Sequence, residues 1–513
     1  MRVKKIFPAE WLAIRPYNNP DSVDLYYVGL ANKVMGFLEK SEFADYFKDE
    51  LLIRKASLYL VSWFEDVCSN LGMWALVNKE CRVRYGSKLP FYDVSKYYEG
   101  EVNPQDLSLL LWHFMQVYNE KNTLLNPENP WLLKTALELT DLFDEEYESA
   151  PENERLYAFI HNDFIGDNWW ECRNLMEWFH MSSYVFLGAP EAVAEAIADS
   201  EYKGMPLPKR MYMAVTEHMF NYKHNLLSLN VQQWLGKITE NAVFDKIERS
   251  KPSMFMYKGQ GSATFRLYDM VEGKEYSVDM DSFAEGESPI RNYVEDKTLV
   301  YTTLVKFNEK YFISGMMTEL RGVGNAKIND AIEEMRTQRA LESQQKDNYP
   351  VFLAASGGEP AVIVRNRDAV KKFFVEKLKF TNADEFDMPP IVSNAKCYAI
   401  YGDPINGLCI SPNNGQCLAI PGNKFYKKDA AKKDGISFYV NNGTVPYRVA
   451  CMLHDKELIP DAAINSLKGY EYGRDFLHKN GDFFLDYFYH ATREYDLFPF
   501  MAPTQQIRKK THH

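Results

Sequence analysis

The residues best able to do chemistry crowd into one window, His161 to Leu187, which reads HNDFIGDNWWECRNLMEWFHMSSYVFL. His161 and Asp163 have the types to share a proton or a metal ion. Glu177 and His180 stand three residues apart, the spacing that sets a carboxylate and an imidazole on one helix face, as in di-iron bundles. Trp170 and Trp178 would border such a site. His218 and His224, with Glu217, have the ligand types to complete a mononuclear centre that activates water for hydrolysis. None of these sets is complete. A di-iron site needs a second Glu-x-x-His pair, and no other of the ten histidines has a Glu three residues before it. The H-E-x-x-H pair of zinc hydrolases is absent.

Local structure explains the same residues without a reaction. Asn168 is a helix N-cap, and Glu171 three residues on completes a capping box. Trp169, Cys172, Leu175, Met176, Phe179, Ser183 and Phe186 then fall on one helical stripe that must be buried. Arg173, Glu177 and His180 fall on another side, where they pair at i, i+3 and i+4 on a solvated face. This is the reading we adopt for the window.

Other chemistries fail for stated reasons. His454-Asp455 is the adjacent pair of metal-dependent phosphohydrolases, which need a further His upstream on the same helical bundle. No His lies between His224 and His454. The chain has no phosphate loop, no nucleophile elbow and no dinucleotide fingerprint. Arg321-Gly322-Val323-Gly324 is a lone glycine pair. Cys172 and Cys451 read as buried helical thiols. Glu65/Asp66 and Asp144/Glu145/Glu146/Glu148 lack the facing pairs of an acidic magnesium site and read as solvated helix faces. No cofactor is implied.

The elements that must position these groups follow from periodicity and punctuation. Pro104 and Pro130, each after an Asn, and Pro190 open helices. Helices are expected at 22–38, 41–67, 73–84, 104–117, 130–148, 191–200 and 209–229. From residue 250 the pattern turns to short β runs at 253–258, 263–270, 275–280, 299–307 and 310–317, ringed by Asp279, Asp281, Glu285, Glu287, Glu295 and Asp296. Residues 325–347 are polar and helical. After Tyr349-Pro350, strands at 351–355 and 361–365 precede a helix at 367–378. Asn413-Asn414-Gly415 and Asn441-Asn442-Gly443 are hairpin signals. Helices are expected at 445–458, 461–467 and 481–495. The fold class is therefore a multidomain α + β chain. Residues 1–245 form an N-terminal all-helical domain, 250–322 a small β-barrel-like module, 323–348 a polar helical linker and 349–513 a C-terminal α+β domain.

Composition narrows the setting. The 513 residues are 46% hydrophobic and 25% charged, with a net charge of −12. That acidity counts against wrapping nucleic acid or an anionic membrane. Seven cysteines without C-x-x-C spacing exclude zinc ribbons and fit a reducing, cytoplasmic compartment. Cys409 and Cys417 are not opposed across a two-residue turn at Asn414-Gly415, so no disulfide is expected there. The start, MRVKKIFPAEWLAIRPY, has no apolar core of a signal peptide. The longest apolar run, Leu107 to Val117, is too short to span a bilayer and carries His113 as a core histidine. The Lys509 to His513 end reads as frayed.

Several runs carry a family likeness: Trp63-Phe64-Glu65-Asp66-Val67, Leu71-Gly72-Met73-Trp74, Arg84-Tyr85-Gly86, Leu89-Pro90-Phe91-Tyr92, Glu101-Val102-Asn103 and Leu110-Leu111-Trp112-His113. With Glu10-Trp11-Leu12, Pro16-Tyr17 and Asp24 to Tyr27, they resemble domain of unknown function 3843. The resemblance is clearest over the first half. It implies a bacterial, Bacteroides-type source and carries no catalytic residues to transfer. The expectation is a non-enzymatic protein-binding or scaffold protein, with His161, Asp163, Trp170, Glu177, Trp178 and His180 as the candidate binding surface. The alternative is a metal-dependent hydrolase or nucleic-acid-processing enzyme built from the same groups. The two differ in whether His161, Asp163, Glu177, His180 and His218 converge.

Overall fold

The computed structural model describes residues 5–119, 123–163, 165–166, 168–199, 206–283, 298–345, 347–379, 395–440, 445–459 and 461–490. The fold is mixed α/β: a helical N-terminal region, an eight-stranded curled half-barrel, a small three-stranded sheet and C-terminal helices. Contacts group the chain into two compact units, residues 1–121 with 125–321 and residues 122–124 with 322–513. Among the described residues, no helix is long and apolar enough to cross a membrane.

The first unit is built on helix Glu50–Ser69. One continuous helix was expected from Ser41, but Lys48 turns left-handed at φ 54° and ends helix Glu42–Phe47. Asp49 then caps the next helix by accepting from the Leu51 N–H at 2.8 Å. Trp63 and Phe64 bury against Phe143 of helix Pro130–Tyr147, the Phe64 and Phe143 rings stacked at 4.7 Å. Asn70 closes the helix with φ 49°. Gly72, at φ 92°, opens helix Met73–Tyr85 and has no side chain to cap it. Asp66 supplies the cap from the preceding helix, accepting from the Met73 and Trp74 N–H groups at 3.2 and 2.7 Å. The helix expected over 209–229 ends earlier, as Leu207–Asn221, and a separate helix Val231–Thr239 follows.

The sheet comprises β1 (Glu248–Arg249), β2 (Ser253–Gln260), β3 (Thr264–Asp269), β4 (Lys274–Asp279), β5 (Leu299–Thr302), β6 (Leu304–Phe307), β7 (Lys310–Ile313) and β8 (Thr318–Glu319). Its order is β1-β6-β7-β4-β3-β2-β5-β8, antiparallel except where β4 meets β7 at Val278 and Tyr311. The run expected as one strand over 299–307 breaks at Thr303. β5 pairs with β2 while β6 pairs with β7, so one run serves two parts of the sheet and curls it. Phe255, Tyr257, Phe265, Leu267, Val300 and Leu304 fill the concave core. Residues 285, 287, 295 and 296 of the expected acidic ring lie outside the described residues.

Helix Trp169–Ser182 joins the helices to this sheet. Trp169 packs its ring on Phe307 and Phe312 at 5.6 and 5.9 Å. Asn168 caps the helix by accepting from the Trp170 N–H at 2.9 Å, without the reciprocal bond from Glu171. The apolar stripe is buried as expected.

In the second unit, the run expected as a strand over 351–355 is part of helix Asn348–Ser356. Five apolar residues carry no decisive period, and the tertiary packing decides. The Phe352 ring lies so close to Gly402 that a Cβ there would meet it at 2.3 Å. The sheet is β9 (Ala361–Val364), β10 (Tyr398–Asp403) and β11 (Gly407–Pro412), antiparallel in the order β11-β10-β9. Its hairpin turns at residues 404–406, where Asp403 accepts from the Ile405 and Asn406 N–H groups at 2.8 and 2.7 Å. Asn413-Asn414-Gly415 is not the hairpin. Asn413 takes φ 65° and starts a 3₁₀ turn. Residues 441–443, the second expected hairpin, lie outside the described residues. Cys409 pairs across from Tyr401 rather than any cysteine, and all seven cysteines are thiols. No helix forms over 461–467. Helices Tyr447–Asp455, Tyr470–Lys479 and Gly481–Phe488 are present, the last burying Phe483, Phe484, Leu485 and Tyr487. Residues 491–513, including the expected frayed end, lie outside the described residues.

Candidate functional site

The structure brings together two of the histidines and spreads the other candidates. His180 Nε2 and His218 Nδ1 lie 2.8 Å apart. His180 is fully buried, not on a solvated face, and burial with the neighbouring imidazole pulls its pKa down to about 3. Burial lowers His218 to about 4. Both rings are therefore neutral at physiological pH, one N–H donating to the other nitrogen, with the His218 ring stacked on Tyr222 at 4.3 Å. Arg173 is also buried, at 2% exposure. It donates to Thr216 Oγ1 at 2.9 Å and lies over the Tyr212 ring. Glu177 stays near the surface, 3.5 Å from Arg173.

The remaining candidates are held by packing partners. His161 donates from Nε2 to the Leu71 carbonyl at 3.1 Å and stacks on Tyr157. Asp163 is exposed. Trp170 donates its indole N–H to the Asp281 carbonyl at 2.6 Å. Trp178 donates to the Ile14 carbonyl at 3.2 Å and packs on Phe159. Among the described residues, the group with three metal-ligand side chains in mutual reach is elsewhere, at His454, Asp455 and Asp482.

Glu65, Asp66 and, just beyond the family-like runs, Asp106 are structural carboxylates. Glu65 and Asp66, expected on solvated faces, are buried. Glu65 pairs with Arg15 and accepts from Asn153 at 2.8 Å. Asp66 accepts from Tyr184 Oη at 2.6 Å besides its capping bonds. Asp106 accepts from Trp74 Nε1 and Tyr97 Oη, both at 2.8 Å. Desolvation raises Asp66 to about 6 and Asp106 to about 7, even against these donors.

A site that sequence reasoning missed lies along helix Glu50–Ser69, N-terminal to Asp66 and on the same face. The helix presents Leu51, Leu58, Tyr59 and Ser62 toward an open cavity of about 440 Å³, walled on its other side by Met181, Tyr184, Phe186 and Leu187. Tyr59 and Ser62 are both buried, and their hydroxyls have no hydrogen-bond partner among the described residues. Arg54, Lys55 and Glu191 stand at the cavity wall. Lys55 pairs with Glu191, which also accepts from Tyr118 Oη at 3.2 Å. Leu51, at 71% exposure, is apolar surface beside it. An apolar hollow with two unused hydroxyls and a charged edge suits recognition of an apolar group bearing one polar atom.

No curated protein and no solved structure matches this chain. The family described as Protein of unknown function (DUF3843) matches residues 5–318 and 314–490, nearly the whole length. The buried Glu65, Asp66, Trp74 and Asn103 thus belong to a helical core assembled from the runs that first suggested that family, and the chain is a member of it.

Proposed function

We propose that this protein works by binding rather than by catalysis, and that its partner is a protein that inserts an apolar side chain beneath Tyr59 and Ser62. The observation that supports this is an apolar cavity walled by Tyr59 and Ser62, whose enclosed hydroxyls have no hydrogen-bond partner among the described residues. Each buried polar group left unpaired costs about 1–3 kcal/mol. An inserted tyrosine or tryptophan relieves that cost when its ring fills the hollow and the Ser62 hydroxyl turns to meet its polar edge. The surroundings have the anatomy of a contact site: an apolar centre with half-buried Leu58 and Met181, exposed Leu51, and charges at Arg54, Lys55 and Glu191. The net charge of −12 favours a protein partner over a nucleic acid. The hydrolase alternative draws support in the helical region from His180 and His218, of which His180 is fully buried and His218 half-buried.

Photo-crosslinking tests this. A photoreactive residue replacing Leu58 in the full chain, exposed to native lysate, should label one predominant protein. The added substitution Ser62→Trp, which fills the hollow, should abolish that labelling, with a cooperative thermal melt confirming that the variant is folded. Unchanged labelling would overturn the proposal.

A further inference from the structure

Helix Tyr447–Asp455 ends on His454 and Asp455, and helix Gly481–Phe488 begins beside them with Asp482 in its first turn. One ligand atom from each of these three residues lies within 4.8 Å of the other two. We propose that His454, Asp455 and Asp482 form a binding site for a divalent transition-metal ion of the zinc or cobalt type.

The orientation of His454 carries the argument. Its Nε2 contacts the His478 carbonyl at 3.2 Å. A carbonyl only accepts, so Nε2 bears the proton of that bond. Gly481 makes room for the ring in this pose, since a Cβ at that position would come 2.1 Å from Nε2. Nδ1 is thereby turned toward Asp482, 3.4 Å from Oδ1. In the neutral ring two lone pairs face each other across that gap, and a cation between them turns the opposition into coordination. A ligating histidine that donates its other N–H to a backbone carbonyl is the usual supporting arrangement at metal sites. The spacing fits as well. Bonds of about 2.1 Å set tetrahedral ligands about 3.4 Å apart. Asp482 is 68% exposed and Asp455 is also on the surface, so both carboxylates are free to close on an ion, while His454, at 12%, is the fixed member. One imidazole nitrogen and two carboxylate oxygens favour zinc-like ions over calcium, which takes oxygen alone. Waters would fill the remaining positions.

The competing account is a simple ion pair. Protonated His454 at a helix C-terminus and Asp482 at a helix N-terminus each sit where the helix dipole favours them. Metal titration separates the two. Untagged full-length protein, stripped with chelator and reduced, is titrated with Co²⁺ and read by visible absorption, then with Zn²⁺ by calorimetry. The expected result is one tight equivalent in the wild type. Its affinity should fall by more than about tenfold in Asp482→Asn, since losing even a supporting partner at a metal site costs that much. It should be lost in His454→Ala. Asp482→Asn changes an exposed side chain, so its fold is secure, and thermal melts check both variants. Equal binding in wild type and Asp482→Asn, or no binding in the wild type, would overturn the site.

Discussion

Acid should weaken the first unit through His180, and the size of the effect can be worked out. The free imidazole titrates near about 6.5 in an unfolded chain. In the fold, burial and His218 hold His180 down at about 3. The unfolded state therefore binds the proton first. The contribution of His180 is complete above about pH 6.5 and is lost as pH falls toward its folded value, at about 1.4 kcal/mol per pH unit. At pH 4.5 the loss from this residue is about 3 kcal/mol. Half-buried His218, also lowered, adds a loss of similar size in the same direction at that pH. Asp66 and Asp106 act oppositely. Their folded pKa values are raised, so they favour the fold at acid pH and cost stability as pH rises. The wild-type profile alone is thus a partial cancellation, and the informative quantity is a difference. His180→Gln keeps a polar group beside His218 and removes the titration. Its stability deficit at pH 7.5 should shrink by about 2–3 kcal/mol by pH 4.5. Urea unfolding followed by tryptophan fluorescence measures it, because all nine tryptophans lie between residues 11 and 234, in the first unit. A deficit that stays constant or widens toward acid would refute the reasoning.

Other expectations concern folding and division of the chain. Asn168→Ala removes the bond to the Trp170 N–H and should cost about 1 kcal/mol, whereas Phe179→Ala leaves a hole at a fully buried position and should cost about 3–5 kcal/mol. Urea midpoints of the two variants should rank in that order. Limited proteolysis should cut first between Arg321 and Tyr349, where the second compact unit begins and helix Asn325–Gln345 is largely exposed. A first cut within residues 161–187 would contradict that division.

What the sequence revealed and concealed follows the range of the interactions. Proline openings at Pro104 and Pro130, the Asn168 cap and the Trp169 to Phe179 stripe are local signals, and each element formed. The burial of Arg173 and His180 depends on Thr216 and His218, on a helix some forty residues away. One polar face met another, so a face that reads as solvated is covered. The hairpin signal at Asn413-Asn414-Gly415 lost to Asp403, whose side chain organises the actual turn. Ser62 illustrates the limit for the candidate site. Ser57, on the same helix, returns its hydroxyl to the Ile53 carbonyl at 2.8 Å, while Ser62 has no partner among the described residues. Nothing in the two serines' surroundings along the chain separates them. His454-Asp455 was set aside as a phosphohydrolase pair for want of an upstream histidine, and the residue that lies within reach of both is Asp482, at the start of a later helix.

The central claim is that a protein partner occupies the cavity beneath Tyr59 and Ser62, and labelling from position 58 tests it most directly. The expected result is one predominant crosslinked protein in native lysate, lost on filling the hollow with Ser62→Trp and weakened by Tyr59→Phe, with thermal melts confirming that both variants are folded. Labelling that survives Ser62→Trp would contradict it.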